Sequence, residues 1–227
     1  MLKRFINDQK DEIEQITGRI LDNILLALPS TKGLATYTAR RQIGDVRGQL
    51  TDLLAADTFG AALLACFTSA REVGASLSGF AYVRVHLLAE TPVDFIPTLI
   101  VQSALLFCLS AESRIISTMV FVCRDDAEAM HKRMAKAFDD AKESAADDMD
   151  SASYQSLTAL AASVSVHLAR TALLLPRLVT FTMALNYPAL KLAQLIYYDP
   201  TRTEEIIAEN KVVHPLFFPR LVKALSA

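Results

Sequence analysis

Apolar residues recur at intervals of three and four in the first segment of this chain, and that spacing most constrains its fold. Such spacing places apolar side chains on one face of a helix. The clearest example is the segment from Asn7 to Leu28, with Ile13, Ile16, Ile20, Ile24 and Leu25. Few breaks interrupt the pattern, because the 227 residues include only 7 glycines and 8 prolines while 52% are hydrophobic. The sequence therefore predicts a mainly α protein with a helical-bundle body.

Further helices are predicted as far as residue 174. Residues 34–54 are more polar and favour either a solvated helix or an irregular connection. Residues 55–88 favour helices that are interrupted near one of three glycines, Gly60, Gly74 or Gly79. Residues 125–150 are rich in Asp, Glu, Lys and Ala, which is typical of a helix at the surface. A last long helix is predicted over residues 151–174, before Pro176.

The stretch from Phe95 to Val122 raises the question of a membrane span, since the mean hydropathy of the chain is +0.28. Asp94 precedes this stretch directly, and Gln102, Glu112 and Arg114 interrupt it. They leave an apolar and small-residue run of only nine residues, Ser103 to Ala111, whereas a crossing needs roughly 20. We therefore expect a helix buried in protein or in a subunit interface, and no membrane span.

The last quarter of the chain has a different character, because β-branched and aromatic residues appear there. The predicted elements are a strand over Arg177–Thr182, a helix over Pro188–Tyr198, a short helix that Thr201 caps with Glu204, and a strand over Leu221–Leu225. The order is strand, helix, helix, strand. The sequence thus predicts a helical body over residues 1–174 and a small α+β module over residues 175–227.

The charge balance argues against a protein that holds nucleic acid over a wide surface. The 23 Lys and Arg residues face 25 Asp and Glu residues, giving a net charge of −2. One locally basic cluster stands out, formed by Lys32, Arg40, Arg41 and Arg47. It could contact DNA or an acidic neighbouring subunit, or it could be an ordinary solvated surface.

No residue pattern indicates catalysis, a metal site or a cofactor. Cys66, Cys108 and Cys123 are widely spaced in apolar or Ala-rich segments, so we expect reduced thiols that behave as small hydrophobic groups. The histidines do not have the spacing of metal ligands, and phosphate-binding and dinucleotide-binding glycine motifs are absent from the sequence. The start, Met1 to Phe5, is soon followed by acidic residues and does not read as a secretory signal. The prediction is a non-enzyme that is used without secretion.

The second half of the chain resembles a known family. The matching residues are Leu175-Pro176-Arg177-Leu178-Val179-Thr180-Phe181-Thr182, Tyr187-Pro188-Ala189-Leu190, Tyr197-Tyr198-Asp199, Glu205-Ile206, Asn210, His214-Pro215 and Pro219. In this order and spacing they resemble the end of the tail protein of Mu-like phages and prophages that is called the DNA circularisation protein. The family usually has Tyr-Gly-Asp where this chain has Tyr197-Tyr198-Asp199, and it is usually longer, which indicates a shortened or diverged relative.

The terminal module is also similar to LysM modules, since both have the strand, helix, helix, strand order. The segment Ile206-Ile207-Ala208-Glu209-Asn210 matches the end of the second LysM helix. In phage tails, modules of this kind commonly serve as structural joints, and elsewhere they bind peptidoglycan. The resemblance implies the first role for residues 175–227, through strand edges and loops that dock on neighbouring subunits.

Together the resemblances imply a structural component of a phage or phage-derived tail, in the baseplate or hub region. Its implied partners are tube, hub, spike and baseplate proteins and further copies of itself in cyclic symmetry. The implied location is the virion tail, assembled in the cytoplasm of the bacterial host. Two alternatives stay open: a protein that binds or protects DNA ends without sequence specificity, and an envelope-associated protein that binds peptidoglycan. The residues predicted at subunit contacts are Phe217, Phe218, Leu221, Tyr197 and Tyr198.

Overall fold

The structure, a computed structural model, describes residues 9–31 and 33–226. Helices make up 71% of it, and a two-stranded antiparallel sheet lies near the carboxy terminus, which confirms the prediction of a mainly α fold. The chain divides into two compact units. Unit 1 contains the described residues up to 119 together with 134–165, and unit 2 contains 120–133 together with 166–226. The division passes through two long helices. The predicted terminal module, residues 175–227, lies within the larger unit 2 as far as residue 226.

Unit 1 is built from helices alone within the described residues. Six of them lie wholly inside it: α1 (Lys10–Ala27), α2 (Leu34–Gly48), α3 (Leu50–Ala55), α4 (Phe59–Glu72), α5 (Leu77–Leu88) and α6 (Phe95–Ile116). Two longer helices, α7 (Arg124–Asp147) and α8 (Ser151–Leu173), cross the division between the units. For residues 34–54 the sequence allowed either a solvated helix or an irregular connection. The structure is helical there on both sides of Gln49.

The apolar stripe of α1 forms one side of the core of unit 1. Ile13, Ile16, Ile20 and Ile24 are each at most 2% exposed, as the spacing predicts. Helix α1 packs against α5 and α6, and it ends where Leu28 turns to an extended conformation before Pro29. A residue before proline is driven out of the helical region by the proline ring, so the sequence itself ends the helix here.

Of the three candidate glycines, only Gly74 marks the break between helices. Its φ of +91° lies in the left-handed region that favours glycine, between α4 and α5. Gly60 and Gly79 lie inside helices. A Cβ at Gly79 would come within 3.2 Å of the Ala27 carbonyl oxygen, so this glycine permits the close approach of α5 to the end of α1.

Helix α6 packs against α1, α4 and α5 and is the most apolar element of unit 1. It buries Ile100, Val101, Ala104, Leu105 and Leu109. Among the described helices it alone is long and apolar enough to cross a membrane, and 56% of that apolar window is buried inside the protein. A buried core helix passes the same test of length and composition, so the expectation that α6 does not span a membrane stays a prediction.

Unit 2 carries the strand, helix, helix, strand order at its end. Strand β1 (Leu178–Thr182) pairs antiparallel with β2 (Leu221–Leu225), with Thr180 opposite Lys223. Between them lie α9 (Ala189–Tyr197), a 3₁₀ turn (Pro200–Arg202) and α10 (Thr203–Asn210). The core of this part contains Ala189, Leu192, Ala193, Ile206, Phe218 and Val222.

The prediction that Thr201 caps the second helix is wrong. The carboxylate of Asp199 accepts hydrogen bonds from the backbone N–H of Thr201 over 2.9 Å and from its hydroxyl over 2.6 Å. Asp199 therefore caps a 3₁₀ turn that begins at Pro200, and α10 starts only at Thr203. Proline suits the first position of a helical turn because its missing N–H has no partner to lose there.

Candidate subunit-contact surfaces

Tyr197, a predicted contact residue, links the end of α9 to β2. Its side chain is half-buried, and its hydroxyl accepts a hydrogen bond from the backbone N–H of Leu225 over 2.8 Å. The guanidinium of Arg202 lies over its ring, 3.7 Å from the centroid. A cation over an aromatic face gains electrostatic attraction to the ring. Tyr197 thus makes both of these contacts inside unit 2.

The charges around Tyr197 form a fixed cluster. Arg202 donates two hydrogen bonds to Glu205, over 2.9 Å and 2.6 Å. Burial acts to raise the pKa of Glu205, but hydrogen bonds from Arg202 and Tyr197 outweigh it and lower this pKa below its ordinary value. Burial, with hydrogen bonding to Glu205, raises the pKa of Tyr197 to about 12. Near neutral pH the phenol is therefore protonated and the carboxylate is ionised, as the hydrogen bonds require.

The outer edge of β2 is occupied by side chains of the same unit. The amide of Asn210 accepts a hydrogen bond from the Lys223 N–H over 2.8 Å and donates one to the Lys223 carbonyl over 2.7 Å. Two positions further along, Tyr197 takes the Leu225 N–H. An edge whose backbone groups are already paired cannot accept another strand there. Docking by strand addition, which the LysM resemblance allowed, is blocked at these positions of β2.

The remaining predicted contact residues divide between core and surface. Phe218 is 0% exposed and packs in the core of unit 2, so its side chain does not reach the surface as that prediction required. Phe217 is 75% exposed, Leu221 is 58% exposed and Tyr198 is 85% exposed. Residue 217 and residue 218 thus point in opposite directions, which their adjacent positions could not reveal.

Two neighbouring segments of unit 2 share a group of exposed apolar side chains. Residues 183–190 and 214–221 are joined by hydrogen bonds of 2.7 Å from Met183 N to Arg220 O and from Ala189 N to Pro215 O. We call the exposed group on these segments the apolar end of unit 2. It consists of Leu185, Leu190, Leu216, Phe217 and Leu221, which are between 58% and 75% exposed. Leu185, Leu190 and Leu216 were missed in the sequence, because the exposure of a single leucine depends on tertiary packing that no local pattern shows.

Tyr198 stands at the position where the sequence resemblance leads us to expect a glycine. Its φ is +58°, in the left-handed region, and it ends α9. Glycine adopts this conformation without a steric cost, whereas a residue with a Cβ does not. The chain therefore keeps a large aromatic side chain exposed at a position where a smaller residue would fold more easily. Such a residue is a candidate for contact with a partner.

The described residues of the predicted basic cluster, Arg40, Arg41 and Arg47, have different surroundings. Lys32 lies outside the described residues, and Arg40 is exposed. Arg41 lies 3.8 Å from Asp45 in the next turn of α2. Arg47 turns toward α1, where it donates to the Gly18 carbonyl over 2.8 Å and pairs with Asp22 over 2.8 Å. Two of the four charges thus face carboxylates of the same unit, which weakens the cluster as a site for DNA phosphates.

A buried ion pair inside unit 1 was missed in the sequence. Arg84 of α5 donates from Nε to the Glu112 carboxylate of α6 over 2.9 Å, with side chains 9% and 0% exposed. The Cys108 thiol lies beside it and donates to the Phe80 carbonyl over 3.3 Å. Burial, together with the charge of Glu112, raises the pKa of Cys108 well above its ordinary value. A raised pKa favours the protonated thiol near neutral pH, and the group lies where α5 packs on α6.

The three cysteines and the possible metal ligands are the remaining reactive groups considered in the sequence. Cys66, Cys108 and Cys123 are free and buried, as expected, and burial raises the pKa of Cys66 to about 11. In the described part of the chain, His, Cys, Asp and Glu side chains do not gather in threes or more in a way that could hold a metal ion.

Comparison with known proteins adds no assignment: no protein-family model and no curated protein matches the chain.

Proposed function

We propose that this protein is a structural component of a phage or phage-derived tail, in the baseplate or hub region. It acts by binding neighbouring subunits and performs no chemistry. Unit 1 supplies a rigid helical body, and the end of unit 2 serves as a LysM-like joint that docks on tube or hub proteins. The sequence resemblance described above suggests the tail setting, and the surfaces of unit 2 support the mode of action.

The order and pairing of the terminal elements support the LysM-like assignment. Two strands pair antiparallel, and two short helices between them share a core with β2 through Ile206 and Val222. The two hydrogen bonds between the Asn210 amide and the Lys223 backbone fix the end of α10 against the strand. The LysM resemblance includes this asparagine at the end of the second helix, so its place in the fold has a physical reason.

The apolar end of unit 2 is the observation that carries the proposal. Small folded modules normally cover leucine and phenylalanine, whereas this one leaves Phe217 and Leu216 75% and 68% exposed on adjacent positions. Contiguous exposed apolar surface is a mark of protein contact sites. Recognition of DNA would instead call for unpaired cations. The apolar end therefore favours a subunit joint over DNA binding.

Isolation of tail particles from a host that expresses the gene in its own prophage tests the proposal. Mass spectrometry of purified particles is expected to find the chain at a fixed ratio to tube and baseplate proteins. Deletion of the gene is expected to give incomplete tails under the electron microscope. Complete tails that lack the chain, in the wild type or in the deletion strain, would contradict the proposal.

A further inference from the structure

Residues 183–191 and 211–223, which contain the apolar end of unit 2, carry positive charges alone. Neither range contains Asp or Glu. Their charged side chains are all exposed, namely Lys191, Lys211, Arg220 and Lys223. Residues of both charge signs are normally interspersed on a protein surface. A surface that combines exposed leucine and phenylalanine with cations alone is therefore suited to a partner of the opposite charge.

Two of these four cations have a carboxylate neighbour within unit 2. Burial raises the pKa of the Glu209 carboxyl, and the nearby charges of Lys223 and Lys211 oppose this rise. The opposition shows that both lysines lie close enough to Glu209 to interact with its charge. Lys211 and Lys223 are therefore partly neutralised inside the unit.

The other two cations, Lys191 and Arg220, have free side chains. Within the described part of the chain neither side chain forms a salt bridge or a hydrogen bond. Lys191 follows Leu190 in the first turn of α9, and Arg220 precedes Leu221, the first residue of β2. Each free cation thus adjoins a residue of the apolar end.

Two carboxylates of unit 2 lie at the opposite end of its sheet. Strand β2 begins directly after Arg220 and ends at Leu225, whose N–H binds Tyr197, the hydrogen-bond partner of Glu205. Asp125 accepts a hydrogen bond from the residue of β1 that pairs with Leu225. The two ends of β2 are about 13 Å apart, whereas charges in physiological salt are screened over about 8 Å. These carboxylates therefore leave Arg220 without compensation.

We infer that the apolar end binds a protein surface whose apolar centre is bordered by carboxylates, and that Lys191 and Arg220 each pair with one of these carboxylates. Leu216 and Phe217 fill the apolar centre. An apolar core with a polar rim is the usual anatomy of a protein contact. The paired charges fix the orientation of the two subunits and exclude surfaces that carry cations. The inference rests on the proposed function, because it states the chemistry of the subunit on which the joint docks.

The number of free cations favours a protein over a membrane or DNA. Recognition of an anionic membrane typically uses clusters of about four to eight Lys and Arg side chains. A protein that binds the DNA backbone typically neutralises on the order of six to ten phosphates. Lys191 and Arg220 fall below both numbers. An arginine and a carboxylate, in contrast, form a strong pair one to one, often with two parallel hydrogen bonds.

The reversal variant, Lys191→Glu/Arg220→Glu, tests the inference with the full chain. A negative charge suits the first turn of α9 because of the helix dipole. At position 220 the backbone carbonyl accepts a hydrogen bond from Met183 N, which the variant keeps, so the variant should fold normally. Lys191→Arg/Arg220→Lys keeps both charges. Arg40→Glu/Lys136→Glu reverses two exposed charges of unit 1 and is the matched control.

Two synthetic amphipathic helical peptides serve as probes for the purified chain. They share one leucine face, which Glu borders in one peptide and Lys in the other. The wild type, the charge-keeping variant and the matched control are expected to bind the Glu-bordered peptide at least about tenfold more tightly than the other, and less tightly as salt rises. The reversal variant is expected to lose or reverse this preference. A wild type that prefers neither peptide, or a reversal variant that keeps the wild-type preference, would overturn the inference.

Incorporation into tails separates the inference from the proposed function. Each variant is supplied to a strain that lacks the gene, and a loss of at least about tenfold per purified tail is expected for the reversal variant alone. If the wild type is absent from tails, the proposed function fails and the peptide probes still decide the inference. If the wild type and the reversal variant are incorporated equally well, the inference fails and the proposed function stands.

Vesicles of phosphatidylglycerol and phosphatidylcholine test a membrane as the occupant of the apolar end. The chain is expected not to float with them. Flotation of the wild type that Lys191→Glu/Arg220→Glu abolishes would overturn the inference, because an anionic membrane would then be the partner of the two cations.

Discussion

Arg84 and Glu112 form an ion pair inside the helical core of unit 1, with 2.9 Å between the Arg84 Nε and the Glu112 Oε1. Two charges removed from water are tolerated only as a pair, since either alone lacks compensation. Arg84→Met is therefore expected to lower the free energy of unfolding by about 3–5 kcal/mol. The double variant Arg84→Met/Glu112→Leu is expected to lose less, because it leaves no buried charge. Urea unfolding followed by circular dichroism measures both.

The matched control for this pair is Arg40→Met, which removes an exposed arginine and should change stability by at most about 0.5 kcal/mol. If Arg84→Met proved as mild as Arg40→Met, the ion pair would not be a buried element of the core. The pairing would equally be contradicted if the double variant lost more free energy of unfolding than the single variants Arg84→Met and Glu112→Leu lose together.

The contact of Gly79 with Ala27 predicts opposite effects of alanine at two helical glycines. A Cβ at Gly79 would lie 3.2 Å from both the Cβ and the carbonyl oxygen of Ala27, whereas a Cβ at Gly44 would meet nothing within 4 Å. Gly79→Ala is expected to destabilise unit 1 by about 1–3 kcal/mol through overpacking. Gly44→Ala is expected to stabilise it by about 0.5–1 kcal/mol, because alanine favours the helix. Thermal unfolding of both variants checks the signs, and a shared sign would refute this helix crossing.

The cluster of Tyr197, Arg202 and Glu205 predicts how unit 2 responds to acid. Hydrogen bonds hold the pKa of Glu205 below its ordinary value, so its contribution to stability is complete above that ordinary value. The contribution is lost as the pH falls through the lowered pKa of the folded state. Glu205→Gln is therefore expected to be less stable than the wild type near neutral pH. The difference in stability between the two proteins is expected to shrink below about pH 4. Unfolding temperatures of both proteins, measured between pH 3 and 7, test this expectation. Unfolding temperatures that fall in parallel would contradict a stabilising role of the Glu205 carboxylate.

Tyr198 predicts that a variant can be more stable and yet function less well. Tyr198→Gly removes the strain of a φ of +58°, at the cost of a more flexible unfolded chain. The net expectation is a gain of about 0.5–1 kcal/mol in the free energy of unfolding. Tyr37→Gly, at an exposed tyrosine inside α2, is the matched control and should lose about 0.5–1 kcal/mol. A loss of stability in Tyr198→Gly would show that this side chain serves the fold.

Helical periodicity predicted α1 closely, and turn signals predicted the order of elements near the end of the chain. Those features depend on local sequence. An apolar helix face such as Ile13 to Ile24 is buried by any apolar surface that packs against it, so the identity of the neighbouring element need not be known. The choice among Gly60, Gly74 and Gly79 could not be made in the same way. It depends on whether α5 approaches Ala27 closely, which is a tertiary contact.

The candidate site could be predicted only in part. Phe217 and Phe218 are adjacent residues of the same type, so the sequence does not distinguish them. The turn before β2 decides which of them enters the core. Arg84 has apolar neighbours in α5, and its partner Glu112 lies 28 positions away, so no short motif connects them. The pairing of Arg47 with Asp22 of α1 could not be predicted for a similar reason, since the two residues lie far apart in the sequence.

Incorporation of apolar-end variants into tails tests the proposed joint most directly. Leu216→Ser and Phe217→Ser remove exposed apolar groups without touching the core, and Leu26→Ser does the same at a 70% exposed position of α1 in unit 1. Each variant is supplied to a strain that lacks the gene, and its amount per purified tail is measured by mass spectrometry. The account predicts wild-type incorporation for Leu26→Ser and a loss of at least about tenfold for the double variant Leu216→Ser/Phe217→Ser. Undiminished incorporation of the double variant would contradict the proposed joint.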